Sequence, residues 1–385
     1  MSWSTPLGWR PGMASTRPRL GYRPALDGIR GLAVALVMVR HLGQSFGVGG
    51  GTVGVGTFFA LSGFLITTLL IEEREAAGRV DLGRFWARRA CRLLPALAVM
   101  LGAVVVWFGL VEHQSYKGPA AFAALYAANW AQIGGRPFGV LSHVWTLAVE
   151  EHFYLLWPLL FLGLSRLRMR TAALVAVGLA ATSTLLRLAL FAAGASPDRL
   201  QMGTDTRLDG LLLGCAAALL LAHRRPRVGL PVAGAALAAL ATLVVVQPYH
   251  SFMLTAGYVV IPVAALLVIV HVVGPTTEGS GGHASGSPLT AILGWRPLAA
   301  LGKISYGLYL WHLPVYAVLL PHLLGLPLAA RSGVVAAASI AAATLSYFFV
   351  ERPFLRLKDR RWTRRVDSAD GGAGGPAMAR ATRPS

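Results

Sequence analysis

Acidic residues are scarce in this sequence, lysine is almost missing, and cysteine barely occurs. Against 35 Lys and Arg there are only 16 Asp and Glu in 385 residues, a net charge of +19. Lys117, Lys303 and Lys358 are the only lysines, so the basic charge is carried by arginine. The two cysteines, Cys91 and Cys215, sit at the edge of one apolar run and inside another. Neither lies at metal-ligand spacing, so no metal is expected and no disulfide is implied. Residues 1–25 carry Arg10, Arg17, Arg19 and Arg23 without an apolar run that ends in a small-residue cleavage site, so no cleaved signal peptide is expected. Charged residues make up only 13% of the chain, hydrophobic ones 55%, and the mean hydropathy is +0.59. These values exceed what a soluble core requires and point to an integral, multi-pass membrane protein with the lipid bilayer as its first partner. The positive charge does not imply nucleic acid, because it clusters between apolar runs, where positive-inside topology puts it.

Apolar runs occur near 29–46, 53–71, 93–112, 120–131, 144–164, 172–193, 208–223, 228–246, 252–273, 303–321 and 328–350. Segment 72–92 carries Arg74, Arg79, Arg84, Arg88, Arg89 and Arg92, and segment 165–170 carries Arg166, Arg168 and Arg170, so both are expected on the cytoplasmic side. An even number of spans must separate them. The 120–131 run is well below the ~20 residues needed to cross, and is read as a short non-spanning helix on the outer side. The expectation is an all-α polytopic membrane helix bundle of about ten transmembrane helices with both termini cytoplasmic. It comprises a cytoplasmic N-terminal segment at 1–23, one membrane domain at 24–356, and a basic, disordered cytoplasmic tail at 357–385. The Gly/Ser-rich stretch 274–290 reads as a flexible loop.

Within the first of these runs, LDGIRGLAVALVMVRH at 26–41 holds Asp27, Arg30, Arg40 and His41 in an otherwise apolar helix. From Arg30 to His41 is eleven positions, or three turns plus roughly 20° at about 100° each, so both lie on one face, about 16 Å apart. Such groups are costly beside lipid, so the stripe is expected to face protein or a water-filled cavity. On the assumed topology His41, Ser62, Glu150, Glu151 and His312 all reach the middle third of the bilayer and are expected to converge. Arg30, Arg89 and Arg92 lie at the cytoplasmic entrance, where a cluster of planar guanidinium groups suits phosphate.

Taken together, Arg30 and His41 with ten residues between them, Arg89 and Arg92, and the strings WTLAVEEHFYLLWP, RLDGLLLG, KISYGLYLWHLP and VERP resemble the acyltransferase 3 family of multi-pass membrane acyltransferases. The resemblance spans nearly the whole membrane domain. It implies transfer of an acyl group, often acetyl, from cytoplasmic acyl-CoA to a hydroxyl, commonly on a sugar, with no permanently bound cofactor. Some members carry a soluble esterase-like domain after the membrane part. The residues after 356 are too few for one, so a separate acceptor-handling protein or a directly bound sugar-containing acceptor is expected.

The residue types suit this chemistry. Moving an acyl group from a thioester to an alcohol needs a base that works near neutral pH, and histidine supplies one. His41 is the candidate, either as general base or as a transient acyl carrier, with Glu150 or Glu151 orienting the imidazole. Arg30, Arg89 and Arg92 are assigned to the phosphates of acyl-CoA. Asp209 and His312 are assigned to structure or acceptor binding, Trp311 to packing or stacking on the acceptor sugar, and Glu351 to acceptor binding or an ion pair with a nearby arginine. A proton-coupled transporter is the second reading, since intramembrane His, Glu and Arg serve one equally well.

Overall fold

Runs rich in Ala and Leu lose little side-chain freedom in a helix, and in lipid every backbone amide must be satisfied within its own segment. The computed structural model, which describes residues 20–42, 50–224, 227–246, 250–274 and 287–356, is helical accordingly, with no strand among the described residues. Helix α1 spans Pro24–Leu42, α2 Gly50–Ala77 and α3 Leu82–Leu110, followed by two short helices, α4 at Lys117–Ala124 and α5 at Ala128–Ile133. A 3-10 turn at Gly139–Val144 leads into α6, Trp145–Leu164. Then come α7 at Met169–Ala192, α8 at Pro197–Met202, α9 at Thr204–Arg224 and α10 at Leu230–Val246. A single turn α11, His250–Phe252, passes through a π turn into α12, Tyr258–Val273. Finally α13 at Pro288–Leu293 and α14 at Arg296–Lys303 precede α15, Ser305–Leu319, and α16, Leu328–Ser346, which ends in a π turn at Tyr347–Glu351.

Seven helical segments are long and apolar enough to cross a membrane: Gly50–Ala77, Leu82–Leu110, Gly139–Leu164, Met169–Ala192, Pro197–His223, Met253–Val273 and Leu328–Arg356. The other three runs expected to span form α1, α10 and α15. Helix α1 has 19 residues but includes Asp27, Arg30 and Arg40, α10 has 17 residues, and α15 has 15 before a 3-10 turn takes over. By length and composition these three fall short, because α1 carries the charges that the interior uses and α15 changes geometry at Leu320. The 120–131 run divides into α4 and α5, both too short to span. The expected tail at 357–385, residues 1–19 of the N-terminal segment and most of the 274–290 loop lie outside the described residues.

Helix α9 lies along α2 and α7, and α1 lies along α2, α14 and α15. Helices in lipid associate by close van der Waals contact, so small residues mark the tightest crossings. At the α2–α9 crossing a Cβ on Gly63 would overlap the Leu211 carbonyl, and one on Gly214 would overlap that of Ala60. The outer surface is apolar: Leu155, Leu156 and Leu159 of α6 are exposed, while Trp157 and Phe161 of the same helix point inward and are buried. This all-round apolarity is what a lipid-facing helix shows.

Candidate active site

Two cavities lie along α1, lined by opposite ends of that helix. The first, of about 520 Å³, is lined by Asp27 and Arg30 of α1, Ser62 of α2, Arg89 and Arg92 of α3, Glu150, Glu151 and Tyr154 of α6, and Ser305, Tyr306 and Tyr309 of α15, among others. Arg89 and Arg92 are three positions apart, so successive turns of α3 present them on one side. The Arg89 guanidinium lies over the Tyr154 ring, 2.9 Å from its centroid, and its Nε is 3.6 Å from the Glu151 carboxylate. Glu150 accepts a hydrogen bond from Ser62 Oγ at 3.0 Å, and Arg30 Nε donates to Ser305 Oγ at 3.4 Å. Among the described residues neither Arg30 nor Arg92 has a carboxylate within 4.0 Å. Glu351 acts on both only from beyond ion-pair distance, so two guanidinium groups line this cavity without a direct carboxylate partner.

The second cavity, of about 340 Å³, is lined by Val37, Arg40 and His41 at the other end of α1, with Ser142, His143, Trp145, Gln201, Arg207 and Tyr258 among its walls. Val55, Thr146 and Tyr309 line both cavities and form the partition between them. The partition is tied together: Tyr309 Oη donates to the His143 carbonyl at 2.7 Å and accepts from Thr146 Oγ1 at 2.6 Å.

The histidines of the second cavity form a chain whose proton positions follow from their partners. A carbonyl only accepts, so His312 Nδ1, 2.7 Å from the Tyr309 carbonyl, carries its proton, and in the neutral ring Nε2 is left as an acceptor. His41 Nδ1 faces the Val37 carbonyl at 3.0 Å and His312 Nε2 at 3.3 Å, both acceptors, so it carries a proton too. The remaining nitrogen of His41, Nε2, therefore holds a lone pair on a ring that lines the cavity. This is what a base or a nucleophile requires. The His143 ring stands edge-on to His312 at a centroid distance of 5.0 Å, and among the described residues its nitrogens have only the backbone of Val140 and Leu310 nearby, with no well-formed hydrogen bond.

The residues expected to converge thus form two groups. Glu150, Glu151 and Ser62 join Arg30, Arg89 and Arg92 in the first cavity, whereas His41 pairs with His312 beyond the partition. Neither glutamate hydrogen-bonds to His41. The side chain that holds its Nδ1 is His312, 3% exposed and between the first ring and His143. Asp209 lines neither cavity: its carboxylate is buried against Arg187 at 2.6 Å and accepts from Thr184. Trp311 packs among Leu310 and the apolar side chains of α3, with its indole nitrogen buried and without a hydrogen-bond partner among the described residues. Glu351, 3% exposed, approaches Gly307 of α15, lines neither cavity, acts electrostatically on Arg92 and Arg30, and among the described residues has one carboxylate oxygen without a hydrogen bond.

The multi-helix membrane bundle thus carries an arginine-lined cavity on one side of a thin partition and an imidazole pair on the other. The chain belongs to the acyltransferase 3 family of multi-pass membrane acyltransferases: the family profile, described as an acyltransferase domain, matches residues 23–351. Among its relatives are a putative peptidoglycan O-acetyltransferase, YrhL, of Bacillus subtilis, 34% identical over 371 residues, and the peptidoglycan O-acetyltransferase OatA of Listeria monocytogenes, 33% identical over 364. These alignments cover 90% and 88% of this chain and 57% of each relative. The O-acetyltransferase OatA of Staphylococcus aureus is 34% identical over 316 residues, 76% of this chain and 50% of its own. The chain thus spans about half the length of these relatives. No solved structure matches it.

Proposed function

We propose that the chain is a membrane O-acetyltransferase that takes an acetyl group from acyl-CoA in the first cavity, on the cytoplasmic side, and passes it across the partition to a carbohydrate hydroxyl in the second. The observation that carries this reading is the back-to-back placement of an arginine-lined cavity and a histidine-lined cavity on a shared wall of Val55, Thr146 and Tyr309. The relatives named as peptidoglycan O-acetyltransferases favour a cell-wall sugar as the acceptor and acetyl as the group moved. Nothing favours the transporter reading over this one.

In this scheme Arg30, Arg89 and Arg92 hold the donor's phosphates through paired, charge-assisted hydrogen bonds. A volume of about 520 Å³ lies within the ~300–1,000 Å³ usual for cofactor-sized sites. The pantetheine arm runs toward the partition, where the thioester carbonyl meets His41 Nε2. As base, that nitrogen takes the proton of the acceptor hydroxyl as its oxygen attacks the thioester and the CoA thiolate departs. As carrier, it attacks the carbonyl itself and expels the CoA thiolate; the acceptor oxygen then attacks the acyl-imidazole, the bond to Nε2 breaks, and the freed Nε2 takes up the hydroxyl proton. His312 holds the ring in either route. Glu150 and Glu151 shape the donor cavity and balance its arginines. Helices α1, α10 and α15 complete ten spans, because the bundle shields the charges of α1 from lipid.

The test is turnover of radiolabelled acetyl-CoA by the purified full chain in proteoliposomes, with cell-wall oligosaccharide as acceptor. Labelled oligosaccharide is the expected product. Intact thioester under every acceptor condition would overturn the assignment. If the product forms, a quenched reaction decides between base and carrier, since the carrier route alone leaves label on His41.

A further inference from the structure

Arg207, on the first turn of α9, is 2% exposed and lines the second cavity together with His41. Buried guanidinium groups are ordinarily paired with a carboxylate, because an isolated buried charge is strongly disfavoured. The neighbouring Arg187 obeys this rule: it binds Asp209 at 2.6 Å and also donates to the Thr206 carbonyl. Arg207 does not. Among the described residues it makes no hydrogen bond and has no carboxylate within 4.0 Å, and its Nε is buried without a partner. Asp209, two positions on, is about 200° further around the helix, and its carboxylate is taken by Arg187. What supports the Arg207 charge most closely is the Tyr258 ring, 3.5 Å from Cζ, with Phe59 further off at 5.5 Å and Asp209 acting on it only from beyond ion-pair distance. An aromatic face offsets only part of the cost of burying a cation.

The rest of the cavity is built the same way. Among the described residues no carboxylate lines it, and residues 43–49, which follow α1, contain none. Its polar walls are Arg40, His41, Thr52, Ser142, His143 and Gln201, rich in donors. From the unpaired guanidinium and the absence of any acid among the described residues that line the cavity we infer that the second cavity takes an anionic acceptor, whose carboxylate or phosphate pairs with Arg207 while its hydroxyl lies at His41. The inference rests on the proposed transferase reading and specifies its acceptor by charge. A carboxylate on the sugar itself and a phosphate ester of the sugar are two sources of the same chemistry.

The test uses the purified full chain in lipid nanodiscs and three probes that differ in charge: glucuronate, glucose 1-phosphate and glucose. Binding is read from the fluorescence of the chain's tryptophans, of which Trp145 lines the cavity. The wild type is expected to bind at least one charged sugar about tenfold or more tighter than glucose. Whichever of the two binds tighter identifies the source of the anion. Arg207→Gln should abolish that preference and leave glucose binding unchanged, whereas Arg207→Lys should keep part of it. Equal binding of all three probes by the wild type overturns the inference without any variant, so a poorly folding substitution does not shield it. A preference that survives Arg207→Gln overturns it as well, as does competition by inorganic phosphate alone at equal affinity, which would make the site one for an adventitious ion only. A uniform loss of kcat with every sugar in the Gln variant, with binding unchanged, also overturns it, since Arg207 would then act on the reacting carbonyl. Acetyl-CoA turnover by the same wild-type preparation separates the two levels. No turnover with any acceptor defeats the transferase reading, whereas turnover indifferent to sugar charge defeats this inference alone.

Discussion

Replacing His312 by Leu removes a ring that touches no reactant in the proposed scheme but holds the one that does. The substitution keeps an apolar side chain of similar reach in a site only 3% exposed, and deletes the acceptor 3.3 Å from His41 Nδ1. The Val37 carbonyl, at 3.0 Å, remains, so His41 keeps its tautomer and loses one of two partners. A neutral hydrogen bond contributes about 0.5–1.5 kcal/mol, so turnover should fall about 2- to 13-fold. His41→Gln removes the reacting nitrogen itself, and turnover should fall about 10²- to 10⁴-fold. Both variants should keep the wild-type KM for acetyl-CoA, because the donor arginines lie in the other cavity. The assay is initial-rate turnover of acetyl-CoA with purified protein, with thermal unfolding in detergent as the folding control. Equal losses in the two folded variants would refute a merely positioning role for His312. Near-wild-type turnover in His41→Gln would remove His41 from the mechanism.

Three further outcomes follow from the geometry. Arg92→Ala, which deletes an exposed guanidinium in the first cavity, should raise the KM for acetyl-CoA about 10- to 150-fold for a lost charged hydrogen bond of about 1.5–3 kcal/mol, with kcat little changed; an unaltered KM would leave Arg92 with a topological role only. Asp209→Asn leaves the Arg187 charge buried with no counterion and should lower stability by about 3–5 kcal/mol, read as a drop in thermal midpoint in detergent; a change confined to acceptor KM would instead support an acceptor role for Asp209. A single cysteine at Lys117 should react with a membrane-impermeant reagent in intact cells and one at Arg168 only after permeabilisation, and labelling of both in intact cells would contradict the ten-span arrangement.

The helices were legible in the sequence because apolar length is a local property, and so was the stripe from Arg30 to His41, since helical geometry alone sets it. Which side chains meet across helices is not local. Glu150 and Glu151 stand at a depth compatible with His41, yet α6 directs Glu150 to Ser62 and Glu151 to Arg89. His143 escaped notice because it sits in the 3-10 turn ahead of α6, where no apolar periodicity assigns it a depth. RLDGLLLG drew attention to Asp209, and Arg207 in the same string is the residue that lines a cavity. Two positions on a helix face nearly opposite ways, so only one of this pair can point into the site. The span count differed for the three helices whose charge or length is tolerable only inside a bundle.

In the proposed scheme acetyl groups enter at one cavity and leave at the other, on opposite faces of the membrane. Proteoliposomes carrying the protein in one known orientation, with oligosaccharide acceptor sealed inside and labelled acetyl-CoA added outside, test it directly. When the first cavity faces outward, labelled acceptor is expected in the lumen, with CoA released on the outside. Label on the acceptor only when it shares a compartment with acetyl-CoA would contradict it.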